Sequence, residues 1–590
     1  MTQTFDPILS EVMRHELISA SEEMNITMKQ TTRSIVAKEA GDYSAGLLDT
    51  EGRVIAQAIP YGLGYFTAVM PHIIAKYRGK FRPGDVIISN DPYGGLSHLP
   101  DIALVMPIFG SGEHRGFAAV VQHHTDIGGR FPGGMGLICG QIYEEGLRLP
   151  AVRFYENGAP IESVREIIAA AVRAPDDVLG DLEAGIAACR RGERALTALF
   201  DKYGSERVEG CYQHLLVHSE NLMRTVIRSI PDGRYRCAQP FDDGAGTRVD
   251  IVVTLVIEGD NLTVDFTGTG PQVANALNCP PDLIGNFTCN NVFIALLGSA
   301  DVPINSGLFA PLRTITPEGT ILNPRFPAAV GSRGQVLWRV YDLICHALAM
   351  AIPDRMPAAS EGGVSMMVFT AANGNGGANN MITEIYASGW GCRPNADGLD
   401  GAMPVAMTGF RTNSGEAFEQ EIPVMLDGFG FVPDSGGPGC LRGSLAVYRR
   451  WRFLADGRVM LRTCRVDSLP YGVAGGDEGQ PFQAILTSDN KDTELPRNIM
   501  IDIPVKAGDL LTHIQPSAGG YGPAFRRDPA RVLEDVLDEK ISPEAAARDY
   551  GVVIDAGGRA VDTARTAVLR EAQNAKAQRA GGGRVCEPRP

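Results

Sequence analysis

Residues 84–95 (GDVIISNDPYGG), 101–109 (DIALVMPIF) and 116–129 (GFAAVVQHHTDIGG) are short apolar runs, each bounded by Gly, Pro, Asn or Asp. Turn residues interrupt every run before a helical period can develop, so the block reads as strands and hairpins. Residues 44–58 (SAGLLDTEGRVIAQA) repeat the texture upstream, with Asp49-Thr50-Glu51-Gly52 as a turn between two strands. On either side the period changes. Asp6-Pro7 is a helix start signal, and Ile8, Val12, Leu17, Ile18, Met24, Ile26 and Met28 carry helical spacing to about Ala37. Residues 69–77 (VMPHIIAKY) predict a short helix, and residues 161–227 predict two or three amphipathic ones. Beyond Pro231 the β texture returns, with a hairpin over 248–270 that turns at Gly259-Asp260-Asn261. Helical pattern recurs at 286–299 and 337–352. Residues 363–518 are glycine-rich β, with loops at Gly374-Asn375-Gly376-Gly377 and Ser435-Gly436-Gly437-Pro438-Gly439, and a helical tail begins near Pro529.

The fold class read from this pattern is α+β and multi-lobed, with mixed helical and glycine-rich β segments rather than βαβ alternation. No G-x-x-x-x-G-K-[ST] is present, and no G-x-G-x-x-G opens a helix after a strand, so no Rossmann or P-loop unit is expected. Four regions follow: 1–160, an α+β region with a metal site; 161–230, helical; 231–525, β-dominated with embedded helices; and 526–590, a helical tail whose end is expected to be disordered.

Composition narrows the partners. Lys and Arg number 54 against 69 Asp and Glu across 590 residues, a net charge of -15 that disfavours nucleic acid and anionic membrane surfaces. The eleven cysteines include no C-x-x-C pair and read as reduced core thiols. With no secretory signal and no apolar run near the ~18 residues of a membrane span, a cytoplasmic location is expected.

The chemistry-bearing residues concentrate early. Residues 90–101 (NDPYGGLSHLPD) follow a strand and present His98 and Asp101 from a loop at its end. The strand AAVVQ runs directly into His123-His124-Thr125-Asp126; adjacent strand residues face opposite ways, so at most one histidine faces a given site. Asp42 lies at another helix-to-strand junction. Together Asp42, His98, Asp101 and one of His123 or His124 form a His₂Asp₂ set suited to Zn²⁺, Mn²⁺ or Fe²⁺, which would lower the pKa of a water toward ~7. Elsewhere His214 and His218 read as a solvated helix face and His346 as a core histidine. Gly268-Thr269-Gly270 reads as a hairpin turn.

Several segments in order resemble the hydantoinase B family: NDPYGGLSHLPD, HHTDIGG, EEGLRLPAVRFYENG, VDFTGTGPQVANALNCP, SGLFAPLRTITPEGTILNPRFPAAVGSR, GGPGCLRGSLAVYR and GGYGPAFRRDPARVLEDVLDEKISPEAAARDYGVVI, covering the chain to about Asp555. One departure is the glycine run, interrupted here by Ser517 and Ala518. The resemblance implies a B subunit working with an A-type, ATP-binding partner, expected as A₂B₂ or larger. Such pairs open hydantoins, 5-oxoproline or lactams at the expense of ATP and Mg²⁺ held by the partner. It places the metal ligands on Asp42, His98, Asp101 and His123, with His124 as the alternate and zinc the first expectation, manganese or iron the others. Asp126 or His124 is then expected to orient a ligand or shuttle a proton, and Arg333 to anchor an anionic intermediate or form a salt bridge. The alternatives are a ketone carboxylase subunit and a non-catalytic scaffold.

Overall fold

The computed structural model describes residues 6–58, 63–243, 245–285, 290–298, 302–363, 365–371, 381–386, 388–402 and 414–579; the loop read at Gly374–Gly377 and the tail end lie outside these. Helix α1 (Pro7–Thr31) starts where its signal stands, with the Asp6 carboxylate accepting the Ile8 N–H at 2.9 Å. Strands β1 (Tyr43–Leu48) and β2 (Val54–Gln57), helix α2 (Leu63–Tyr77), and strands β3 (Val86–Ser89), β4 (Asp101–Gly110), β5 (Glu113–His123), β6 (Val152–Glu156) and β7 (Ala159–Pro160) follow. The seven strands make one antiparallel sheet ordered β2-β1-β5-β4-β3-β6-β7.

Both faces of this sheet are covered, and the unbroken apolar run of residues 101–109 is the consequence. Ile102, Leu104, Met106, Ala118 and Val120 point to one face, under Met13, Leu17 and Met24 of α1. That face also meets Leu182 and Ile186 of helix α4 (Pro175–Tyr203), which follows the short α3 (Glu162–Ala171). Ala103, Val105, Phe117, Ala119 and Val121 point to the other, against Phe66, Val69 and Ile73 of α2. Alternation along a strand therefore buries every residue instead of every second one.

Helix α5 (Ser205–Arg228) leads into a second sheet, ordered β11-β10-β9-β8, of β8 (Gly233–Asp242), β9 (Arg248–Glu258), β10 (Asn261–Asp265) and β11 (Leu312–Ile315). The expected hairpin is β9–β10, and Thr269 closes its far end with Oγ1 contacts to the Val252 N–H and carbonyl, both 3.1 Å. The glycine-rich region forms two larger antiparallel sheets and a two-stranded one of Ser388–Gly389 and Asp400–Ala402. One of the larger pair joins Met381–Ile385, Met366–Ala371, Gly457–Arg462 and Met500–Val505; the other joins Val424–Val432, Ala446–Phe453, Leu510–Ile514, Gln483–Ser488 and Lys491–Glu494. The helix Gly334–Ala349 is buried along almost its whole length. The tail carries helices Pro529–Leu537, Pro543–Tyr550 and Thr563–Arg579. The architecture is multi-lobed α+β, and no helix among the described residues is long and apolar enough to cross a membrane.

The first helix stops six residues short of its expected end at Ala37, for a reason of tertiary origin. The buried Asp181 carboxylate of α4 accepts the Thr32 hydroxyl at 2.5 Å and the Arg33 and Ser34 N–H groups at 2.6 and 3.2 Å, so those amides cannot serve the helical ladder. The chain then makes a π turn over Val36–Ala40 and leaves through Gly41, at φ 71°, directly into Asp42. Asp181→Ala is expected to strand these donors, cost about 2–4 kcal/mol and lower the melting temperature, while Asp181→Asn, which keeps one acceptor oxygen, is expected to lose less.

Candidate metal centre

β4 opens on Asp101 and β5 closes on His123, and the antiparallel register sets these two residues directly opposite each other. On the other side of β5 lies β1, with Tyr43 opposite Gln122, and the His123 N–H donates to the Asp42 carbonyl at 2.9 Å. His98 reaches the same end of the sheet from the loop before β4. Asn90 Nδ2 donates to the Leu99 and Leu147 carbonyls, both at 2.8 Å, and the Asp101 N–H donates to the His98 carbonyl at 3.0 Å. Gly95 turns this loop at φ 94°, where a Cβ would sit 2.3 Å from the Ala68 carbonyl oxygen, so only glycine fits.

The three side chains converge. His123 Nδ1 is 2.8 Å from Asp101 Oδ1, and His98 Nε2 is 3.1 Å from both. All three residues are buried, and one ligand atom from each lies within 4.8 Å of the others. His98 Nδ1 is 3.2 Å from the Gly331 carbonyl, which can only accept, so the ring proton sits on Nδ1 and Nε2 offers a lone pair. Burial, with Arg333 nearby, lowers the His98 pKa to about 3 and keeps the ring neutral. A neutral imidazole lone pair aimed at a carboxylate oxygen is repulsive unless something positive lies between, and a divalent cation suits this N, N, O set.

Burial alone would raise the Asp101 carboxyl, but His98, His123 and Arg333 more than offset it and hold the group well below the usual carboxylate range. Its other oxygen accepts the Ser97 hydroxyl in a short contact and Arg333 Nη2 at 3.2 Å. Asp42 is not one of the three converging groups, but it lines the same cavity; burial pushes its carboxyl up to about 6 against the pull of His123 and Arg333. The cavity measures about 80 Å³ and continues over Tyr65, Trp338, Met366 and Arg462.

Two expected participants stand elsewhere. Asp126 accepts the N–H groups of Gly128, Gly133 and Arg173 at 3.0, 3.0 and 2.7 Å and Arg173 Nη1 at 2.9 Å, which organises the following loop rather than a ligand. His124 is buried away from the described cavity lining, neither ring nitrogen has a hydrogen-bond partner among the described residues, and burial lowers its pKa to about 4. The structure thus brings neither of them to the cavity. His214 and His218 lie exposed on α5 with rings stacked 6.4 Å apart. His346 is half-buried and stacks on Tyr471.

Sequence reasoning missed Glu145. Its Oε1 accepts the Val330 and Gly331 N–H groups at 2.9 and 2.6 Å, and the Gly331 carbonyl in turn receives His98 Nδ1–H. The chain carboxyl–peptide–imidazole fixes the orientation of His98 from behind. Its residue lies within EEGLRLP, but a glutamate 47 positions from its histidine in sequence gives no local signal.

The Hydantoinase B/oxoprolinase family model matches residues 6–524. The chain belongs to this family. Caprolactamase subunit beta of Pseudomonas jessenii is 31% identical, over 96% of this chain and all of that protein. The crystal structure of the ATP-dependent caprolactamase from that organism superposes with a TM-score of 0.88 at 30% identity, covering 96% of this chain and 100% of that one. Acetone carboxylase, at 18% identity and a TM-score of 0.87 over 98% of this chain and 84% of its own, shares the fold. Within this hydantoinase B/oxoprolinase fold, the convergence of strand ends and the 90–100 loop is what creates the centre.

Glu145 also sets a pH test. Burial pushes its carboxyl up to about 8, from an ordinary 4.5. Between those values the folded chain holds a proton that the unfolded chain has released, so this residue's contribution to stability falls as pH rises. Glu145→Gln keeps the accepting oxygen and is expected to flatten that slope in melting temperatures taken at pH 5.5 and 8. Glu145→Ala is expected to weaken Zn²⁺ binding by about 10–100-fold, with Glu145→Gln within a few-fold of the parent, by titration calorimetry.

Proposed function

We propose that this chain is the B-type, metal-bearing subunit of an ATP-dependent cyclic-amide hydrolase, with His98, Asp101 and His123 as ligands and Asp42 completing the set. The observation that carries the reading is the convergence of two imidazole nitrogens and a carboxylate oxygen at one buried point, with a second carboxylate on the same wall. Kinship with a protein named caprolactamase subunit beta, at full length, supplies the substrate class. Zinc is the first expectation for this donor set, with manganese or iron also compatible.

An unactivated amide resists water because resonance holds its carbonyl and its nitrogen leaves poorly. In this reading an A-type partner binds ATP and Mg²⁺, and the amide oxygen takes the γ-phosphoryl group as ADP leaves. Water then adds to the activated carbon, the ring C–N bond breaks, and a second water releases inorganic phosphate from the acyl phosphate. When bound, a divalent cation polarises oxygen and acidifies water beside that carbon. The chain's own residues hold the geometry: Gly331 orients His98, Ser97 and Arg333 orient Asp101, and Trp338, Met366 and Ile385 line the wall beside them. Assembly as A₂B₂ or larger, in the cytoplasm, is part of the same proposal.

His98→Ala and His123→Ala are expected to lose bound metal, read by elemental analysis, and to lower ATP-dependent lactam opening by at least 100-fold in the complex with the partner. Full ring-opening activity in either metal-free variant would overturn the reading. A wild-type chain that retains no metal would instead make it a scaffold, and bicarbonate-dependent turnover of ATP would place it with ketone carboxylases.

A further inference from the structure

Deeply buried arginines in this protein are matched to acceptors. Arg465 pairs with Asp342 and Arg449 with Glu384, both in short contacts, and Arg527 pairs with Asp397 and Asp535, each at 2.7 Å. Arg339 makes no ion pair among the described residues, but its guanidinium donates to the Ser468 and Pro240 carbonyls, both at 3.1 Å, and to the Ser468 hydroxyl at 2.5 Å, with Asp342 and Asp242 near enough to favour its charge. Arg462 departs from the pattern. It closes the strand Gly457–Arg462, is 4% exposed and lines the cavity of the metal centre. Among the described residues it makes no ion pair; its Nε has no partner, and its one hydrogen-bonding contact is Nη1 to Met135 Sδ at 3.7 Å.

Its neighbour in the cavity is a second cation. Arg333 precedes the helix Gly334–Ala349 and spends Nη2 on Ser97 Oγ at 2.7 Å and Asp101 Oδ2 at 3.2 Å, leaving its own buried Nε without a partner among the described residues. Burial, with Arg333 adding repulsion, lowers the Arg462 pKa to about 9, so the group is still a cation at neutral pH. The cavity's carboxyls, Asp101 and Asp42, stand with the imidazoles and Arg333, and neither makes an ion pair with Arg462, which shares the cavity with the apolar side chains of Met135, Leu337, Met366 and Ile385. An isolated buried charge is costly, and guanidinium cannot escape by deprotonating near neutrality. Its planar fork of N–H donors matches the oxygens of a phosphoryl group, and the cavity it lines has room for a small oxyanion.

We propose that Arg333 and Arg462 form an oxyanion subsite that receives the phosphoryl group of the activated substrate, beside the His98–Asp101–His123 centre. The identity of the phosphorylated species rests on the amide-hydrolase reading; the subsite itself does not. Asp101 links the two halves, since one oxygen faces the imidazoles while the other receives Arg333. A phosphoryl group on Arg462 then supplies the ion pair that none of the described residues gives it.

The test uses the purified full-length chain without ATP or partner, so it is independent of turnover. Inorganic phosphate is expected to bind by calorimetry and to raise the melting temperature, an effect that saturates with ligand. Arg462→Met is expected to weaken phosphate binding at least tenfold while retaining stoichiometric Zn²⁺ and a melting temperature, without phosphate, no lower than the parent's. That last sign is diagnostic, because removing a structural arginine lowers stability whereas removing an unpaired buried charge does not. Arg462→Lys keeps the charge but loses the fork; it is expected to fold like the parent and to bind phosphate more weakly, which keeps the test decisive if the methionine variant fails to fold. Undiminished phosphate binding in the variants, or no phosphate binding to the parent, overturns the proposal. Acetate binding with the same arginine dependence, in place of phosphate, overturns the phosphoryl assignment in favour of a substrate carboxylate. Loss of Zn²⁺ from His98→Ala with phosphate binding intact separates a failure of the metal reading from a failure of this one.

Discussion

The antiparallel register of β4 against β5 is the constraint on which the site depends. It places Asp101 opposite His123 at one end of the sheet, and β1 brings Asp42 alongside through the backbone of His123. A slip of one residue would turn His123 into the opposite face and bring His124 forward. The register is held because both faces are packed: Leu104 and Val120 lie under α1 and α4, while Val105 and Val121 lie against α2. With apolar residues on both faces, it is the close fit of these particular side chains against the covering helices, not an apolar–polar alternation, that selects the register. The core thereby fixes which histidine serves the cavity.

Around that end the protein concentrates charge that its interior would otherwise reject. Asp101 is reached by Ser97, His98, His123 and Arg333, so its low pKa is a property of the assembled cluster. The parts come from distant segments: the 90–100 loop, three strands, the turn at Gly331 and the far strand bearing Arg462. Glu145 joins the first to the third by clamping the peptide that orients His98. The centre is therefore also a junction between the N-terminal sheet and the glycine-rich half, which supplies Met366, Ile385 and Arg462 to the same wall.

Local pattern carried much of the fold. The Asp6-Pro7 start, the helices between 161 and 230, the β9–β10 hairpin and the tail helices stand where propensity, capping and turn chemistry place them. Deviations occur where a partner distant in sequence intervenes. Helix α1 stops at Thr31 because Asp181 takes its next amides, and α2 begins at Leu63 rather than Val69, with Pro71 carried inside a helix that packs against the sheet. Neither effect has a local signature.

Residue type and spacing alone determined the α+β class and the candidacy of Asp42, His98, Asp101 and the His123-His124 pair, because strand alternation and loop position are written in neighbouring residues. They could not rank the two histidines, nor could they separate Asp126, whose carboxylate is consumed by backbone amides, from the groups that face the cavity. Only the tertiary structure joined Glu145 to His98 through Gly331 and set Arg462 beside Arg333. The physical reason is that hydrogen bonding and charge pairing act over a few ångströms in space, and these contacting partners are separated by 129 to 233 positions along the chain.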